Sequence, residues 1–140
     1  MNLSTANIGD YIPGKGVYAG ELKEDEGIYQ IFVPLFNYKE DEKNNFSWNE
    51  AIKIDFSYFN VAGMILPTIQ MLSLIFLNKK HINSKIKELG GDILEGYFWS
   101  STEFSSYFAW LLRMSDGYRD YDFKDYGNYR YVRPVLALKL

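Results

Sequence analysis

The side chains able to do chemistry are few and mostly of one kind. The chain has a single histidine, His81, and no cysteine. Without a thiol there is no thiolate nucleophile, no cysteine-ligated metal and no disulfide framework. A nucleophilic serine needs a base, and His81 sits in the polar run Asn78-Lys79-Lys80-His81, where a surface position beside a helix boundary is expected. Carboxylates remain: Asp116, Asp120, Asp122 and Asp125. A pair flanking a glycosidic bond would suit hydrolysis, and Asp120, Asp122 and Asp125 offer oxygen ligands to a hard cation such as calcium. All four lie in turn-like sequence, where acidic side chains ordinarily face water. The expectation is a protein that is not an enzyme, with no metal site and no cofactor.

Recognition suits this region better. Tyr118, Asp120, Tyr121, Asp122, Lys124, Asp125, Tyr126, Asn128 and Tyr129, with Arg119 among them, combine aromatic anchors with hydrogen-bonding and charged groups, as binding surfaces do. The 12 Tyr and 10 Phe help bring the aromatic share to 18%, and tyrosine buries a large flat body at the cost of only two torsions. Because side chains alternate along a strand, Tyr118, Asp120 and Asp122 are expected to share one exposed face. Lys124, Tyr126 and Asn128 should continue it on the adjoining turn. Trp99, Ala109, Trp110, Leu112, Val132 and Val135 are expected in the core.

The elements that must position these residues read as strands, then helices, then strands. Gly16 to Leu22 and Ile28 to Phe36 flank an acidic turn and suggest an antiparallel hairpin. Pro34 belongs at a strand end or edge. Ser47-Trp48-Asn49-Glu50 fits a capping box, from which a helix should run to about Phe59. Thr68 can cap a second helix whose Ile69, Leu72, Ile75 and Phe76 share a face. Asn78, Lys79 and Lys80 would form its cationic end. A third helix spans about Ile82 to Leu89 and stops at Gly90-Gly91. Strands then follow at Tyr97 to Ser101, Tyr107 to Met114 (nearly continuous in apolar residues and hence central), Tyr118 to Phe123 and Tyr129 to Leu138. This order is an α+β domain over 1–140, with a mostly antiparallel sheet, two to three helices in the middle of the chain, and both termini in the sheet.

Length and charge narrow the partners. The 140 residues suffice for one core, and a net charge of -3 without a basic cluster argues against nucleic acid. Val61 to Leu77 is apolar but short for a span and is broken by Gly63, Pro67, Thr68 and Gln70, so no membrane insertion is expected. Met1 to Asp10 lack a basic start followed by an apolar run, which suits a virion protein or cytoplasmic synthesis.

Leu66-Pro67-Thr68, Tyr97-Phe98-Trp99-Ser100-Ser101-Thr102-Glu103, Ala109-Trp110, Gly117-Tyr118 and Val132-Arg133-Pro134-Val135 occur in an order that resembles a bacterial and phage domain family. Its pattern runs LPT, YWSSTE, AW, a glycine turn and VRAV. Gly9 to Gly20 is similar to the opening of its phage-associated members. The resemblance implies the C-type-lectin-like fold, shared with formylglycine-generating enzymes and with the variable proteins of diversity-generating retroelements. Formylglycine chemistry depends on cysteines, which this chain lacks. The Glu-Pro-Asn, Gln-Pro-Asp and Trp-Asn-Asp signatures of calcium-dependent lectins are absent too. Met71 stands where the family usually has a capping Glu, and Met114 where an aromatic is usual. Arg133 follows the family's VR pattern and should be structural, paired with a carboxylate. Tyr, Asp, Asn and Ser all arise when adenines of Asn codons are replaced, so the Tyr97 to Tyr131 stretch is compatible with a diversified surface. The resemblance thus implies a ligand-binding or display protein, phage- or prophage-related, whose partner is a protein or glycan on a cell surface. The alternative is a structural or assembly module of a virion or cell surface, with aromatics that mediate oligomerisation.

Overall fold

Two β-branched and aromatic runs separated by Asp25 and Glu26 fold back on each other at the N-terminus. The computed structural model describes residues 6–57, 59, 61–125 and 129–140. β1 (Tyr11–Ile12) pairs with β2 (Gly16–Glu24), which forms the expected hairpin with β3 (Gly27–Val33). β3 ends one residue before Pro34, whose ring nitrogen could not have continued the ladder. The β2–β3 register shifts between Tyr18 and Gly20, and Gly20 takes a φ of 111° there, a conformation a Cβ would strain.

Three helices follow. Ser47 caps α1 (Trp48–Ala51) with both halves of the capping box in place: the Glu50 amide donates to Ser47 Oγ, and the Ser47 amide to Glu50 Oε1. The helix is only four residues long, far short of the expected end near Phe59. Ile54 and Phe56 turn instead toward a cluster that no helical stripe would reach. Thr68 caps α2 (Ile69–Leu77) through the Met71 amide, so the cap forms with Met at position 71. Ile69, Leu72 and Ile75 are buried, as their spacing requires. α3 (Lys79–Glu88) starts three residues before the expected Ile82: Lys79 and Lys80 open it rather than closing α2, and Asn78 is the junction. His81 is exposed in its first turn.

The C-terminal third forms a second sheet, β4 (Tyr97–Glu103), β5 (Phe108–Arg113) and β6 (Arg119–Phe123), with β5 central as anticipated. β7 (Leu136–Lys139) returns to the first sheet, whose order is β1-β2-β3-β7, placing both terminal regions in it. The pairings between the described strands are antiparallel, and the isolated Phe98–Tyr131 bridge is parallel. The one sheet and the continuous strand over Tyr129 to Leu138 expected from sequence are corrected to two sheets joined by a broken segment. Arg130 and Tyr131 bridge to Phe46 and Phe98, and Val135 bridges to Ile65, before β7 begins. Pro134 supplies no amide at the break. Among the described residues the architecture is mixed α+β with three helices and mostly antiparallel sheets.

Two apolar clusters fill it. One lies between β2, β3, α2 and α3, and takes Phe98 and Leu112 from the second sheet and Met114 from just beyond β5. The other gathers Phe32, Phe46, Trp48, Trp99, Leu111 and Val132. The three-stranded sheet is therefore covered on both faces at its Phe98–Trp99 end. Both deep indoles are satisfied: Trp48 Nε1 donates to the Ser100 carbonyl at 2.8 Å and Trp99 Nε1 to the Phe46 carbonyl at 2.7 Å. No helix among the described residues is long and apolar enough to cross a membrane.

Candidate functional site

The two faces of the β5–β6 ladder differ sharply. Leu112 is opposite Arg119, Trp110 opposite Tyr121, and Phe108 opposite Phe123. These pairs share one face. α2 covers its Leu112 end, where Arg119 Nε donates to Ser73 Oγ of α2 at 3.0 Å. Beyond α2 the face is open, and it is almost entirely aromatic. Phe104, from the turn after β4, folds over it and stacks on Tyr121 with ring centroids 4.1 Å apart and an interplanar angle of 2°. Trp110 meets both rings edge-on at 5.3 and 5.7 Å. Phe108 lies 4.5 Å from Phe123 and 5.5 Å from Tyr121. Phe104, Tyr121 and Phe123 keep 48%, 45% and 43% of their surface exposed. Five rings thus form one continuous platform on rigid strands, a concentration of exposed apolar surface that single scattered hydrophobics do not produce.

A cavity of about 420 Å³ adjoins the platform at Phe123, lined by Trp48, Asn49, Glu103, Tyr107, Phe123 and Asp125 among others. Lys124 forms its inner wall. Its Nζ donates to Glu103 Oε1 at 3.0 Å and to the Ser106 carbonyl at 3.1 Å, and lies 4.6 Å from the centroid of the Trp48 ring. Asn49 Nδ2 donates to Asp125 Oδ1 across the mouth. Carboxylate and amide oxygens beside aromatic walls let this cavity accept hydrogen bonds from a ligand held against a ring.

A cluster of arginine–aspartate pairs and tyrosine rings borders the other face. Arg113 donates to both carboxylate oxygens of Asp116 and, through Nη1, to Tyr97 Oη at 3.2 Å; its guanidinium also lies over the Tyr97 and Tyr118 rings. Arg130 lies over Tyr97 from elsewhere and donates to Asp122 Oδ2 at 3.1 Å. The Arg113 guanidinium and the Tyr118 amide hold the Asp116 carboxyl down to about 2.

The sequence-derived residues are distributed accordingly. Tyr118 is exposed, but β6 alternates opposite to expectation: Arg119, Tyr121 and Phe123 face out, while Asp120 and Asp122 are half-buried on the other side. Tyr118 does not set the phase, because it precedes the strand and its amide is tied to Asp116 Oδ1. Lys124, expected on an open turn, is buried. Asp125 and Tyr129 are exposed, with Lys43 Nζ 5.6 Å from the Tyr129 ring. Tyr126 and Asn128 lie outside the described residues. Among the described residues no three His, Cys, Asp or Glu side chains gather around a point where a metal could sit, so Asp120, Asp122 and Asp125 do not form the cluster considered for calcium. Trp99, Ala109, Leu112, Val132 and Val135 are buried as expected. Trp110 is half-buried: it packs against the first apolar cluster and also forms part of the platform. Sequence reasoning missed Phe104, Phe108 and Phe123 as surface aromatics. The two-residue spacings Phe108-x-Trp110 and Tyr121-x-Phe123 carried that signal.

Arg133 is structural but differently paired. It is 1% exposed, its Nε and Nη2 donate to the Pro34 carbonyl at 3.1 and 2.8 Å, and Nη1 donates to Asn37 Oδ1 at 2.8 Å. The expected carboxylate partner is replaced by these neutral acceptors, with Asp92 acting on the guanidinium only through its field. Burial pulls the Arg133 pKa down to about 9. No protein-family model matches the chain, and no curated protein matches it significantly.

Proposed function

We propose that this chain is a non-catalytic ligand-binding or display protein with a C-type-lectin-like fold, and that it engages a protein or glycan on a cell surface through the open face of the β4–β5–β6 sheet. One observation carries the reading: five aromatic rings, three of them more than two-fifths exposed, packed into one platform beside a polar cavity. Rigid aromatics at the centre with hydrogen-bonding groups at the rim is the arrangement in which a few side chains dominate affinity. The fold proposal is supported by the ordered LPT, YFWSSTE and VRPV strings and by the antiparallel α+β architecture. The phage- or prophage-related setting rests on the sequence resemblance alone.

Fluorescently labelled chain, applied to intact bacterial cells and to glycan arrays, tests the binding role. Binding that falls at least tenfold in an F104A/Y121A/F123A variant, but not in an E21A/K53A variant, is the expected result. Undiminished binding by the aromatic variant to every target recognised by the parent would overturn the proposal. An assembly module using the same rings would instead show a mass that rises with concentration.

A further inference from the structure

The three-stranded sheet ends on β6, which pairs with β5 on one side and, among the described residues, with no strand on the other. Such an edge offers a row of backbone groups to any incoming strand. The ladder fixes which groups point out. Arg113 donates its amide to the Tyr118 carbonyl at 2.9 Å, and Lys124 donates its amide to the Tyr107 carbonyl at 3.0 Å. Backbone groups alternate between the two sides of a strand, so the even-numbered residues from 118 to 122 and the Lys124 amide turn toward β5, while the Lys124 carbonyl accepts from the Asn49 amide at 3.2 Å. Arg119, Tyr121 and Phe123 therefore direct their amides to the side on which no described strand lies. Two of these three amides are already engaged. Tyr121 donates to Asp120 Oδ1 at 2.8 Å, and Phe123 donates to Asp122 Oδ1 at 2.9 Å. In each case the acceptor is the carboxylate of the preceding residue.

We infer that Asp120 and Asp122 close the open edge of β6 to strand addition by a second copy of this chain. A carboxylate holds an amide more strongly than the neutral carbonyl of an added strand would. It also sets negative charge where that carbonyl oxygen must dock. In a two-fold pairing of β6 with itself, the carboxylates of one copy would approach those of the other, adding like-charge repulsion. Arg130 holds Asp122 Oδ2 and so keeps the second carboxylate aligned. Tyr121 and Phe123 stand on this same edge strand. Strand addition would therefore place the two platforms side by side, whereas a closed edge leaves each face to a separate partner. This inference does not depend on what the platform binds.

Sedimentation of the full chain as a function of concentration tests it. A D120A/D122A variant should show an association step that the parent lacks. D120N/D122N keeps an acceptor oxygen at each position and should associate less than the alanine variant. An alanine variant that sediments as the parent does, or an asparagine variant that associates as strongly as the alanine one, overturns the inference. Because D122A also releases Arg130 and can loosen the fold, D120A alone provides a second readout. Exchange of the Tyr121 amide should accelerate about tenfold while that of Phe123 keeps its rate. Unchanged exchange at Tyr121 would show that Asp120 does not guard the edge.

Discussion

Lys124 shows how a residue's surroundings reverse its apparent role. Its ammonium is held by Glu103, by the Ser106 carbonyl and by the Trp48 face, and the residue is only 7% exposed. Lys124→Ala should lower stability by about 2 kcal/mol in urea unfolding, because it removes two hydrogen bonds and uncovers the buried Trp48 indole. Glu103→Ala should cost less than about 1 kcal/mol, since Glu103 keeps 60% of its side chain in water and its part of the ion pair is screened. Asp116 gives a pH signature. Its carboxyl lies near 2 in the folded chain against an ordinary 3.8. The folded state therefore binds fewer protons than the unfolded one in that window. The stabilisation is complete above about pH 4 and is lost as pH falls through 2. Thermal unfolding followed down this range should fall less steeply in Asp116→Asn than in the parent. Neither environment was legible in sequence: Lys124 stands in a charged run, and the groups that enclose it come from distant positions, Glu103 and Ser106 about 20 residues earlier and Trp48, 76 earlier.

Turn and cap chemistry was more legible than element length or phase. Thr68 and Ser47 could be read as caps from their own neighbourhoods, and Thr68→Ala should cost about 1 kcal/mol by circular-dichroism melting as α2 loses an amide acceptor. How far α1 ran could not be read, because its end depends on the second cluster drawing in Phe56. The phase of β6 was equally hidden. Alternation was foreseen, but whether Tyr118 or Arg119 begins the strand depends on how the Ser115–Gly117 turn closes. Gly117 takes a φ of 77°, and a Cβ there would come within 2.5 Å of the Phe76 ring of α2. Gly117→Ala should therefore cost about 1–3 kcal/mol through left-handed strain and displacement of Phe76. The loss should also appear as a weaker β5–β6 hairpin by amide exchange.

Across the molecule, the order of strands, helices and strands was readable from residue patterns, as was the placing of both termini in a sheet; that β7 pairs with β3 of the N-terminal hairpin was not. The division into two sheets was not, because it depends on the break after Tyr131. There Arg133 turns inward to the Pro34 carbonyl instead of extending a strand. The division matters for function: the three-stranded sheet, free of β7, keeps one end of a face beyond the reach of α2. If that face is diversified, the encoding locus should carry a reverse transcriptase and a near-copy of the C-terminal segment that differs mainly at adenines. The differences should fall on exposed positions such as Tyr107, Tyr118 and Tyr121 and spare Trp99 and Val132. The most direct test of the binding surface is hydrogen–deuterium exchange of the full chain, alone and bound to an envelope fraction from cells that it labels. Protection concentrated in 104–110 and 118–125 is the expected result. Protection confined to the β1-β2-β3-β7 sheet or to α3, with the aromatic strands unchanged, would contradict it.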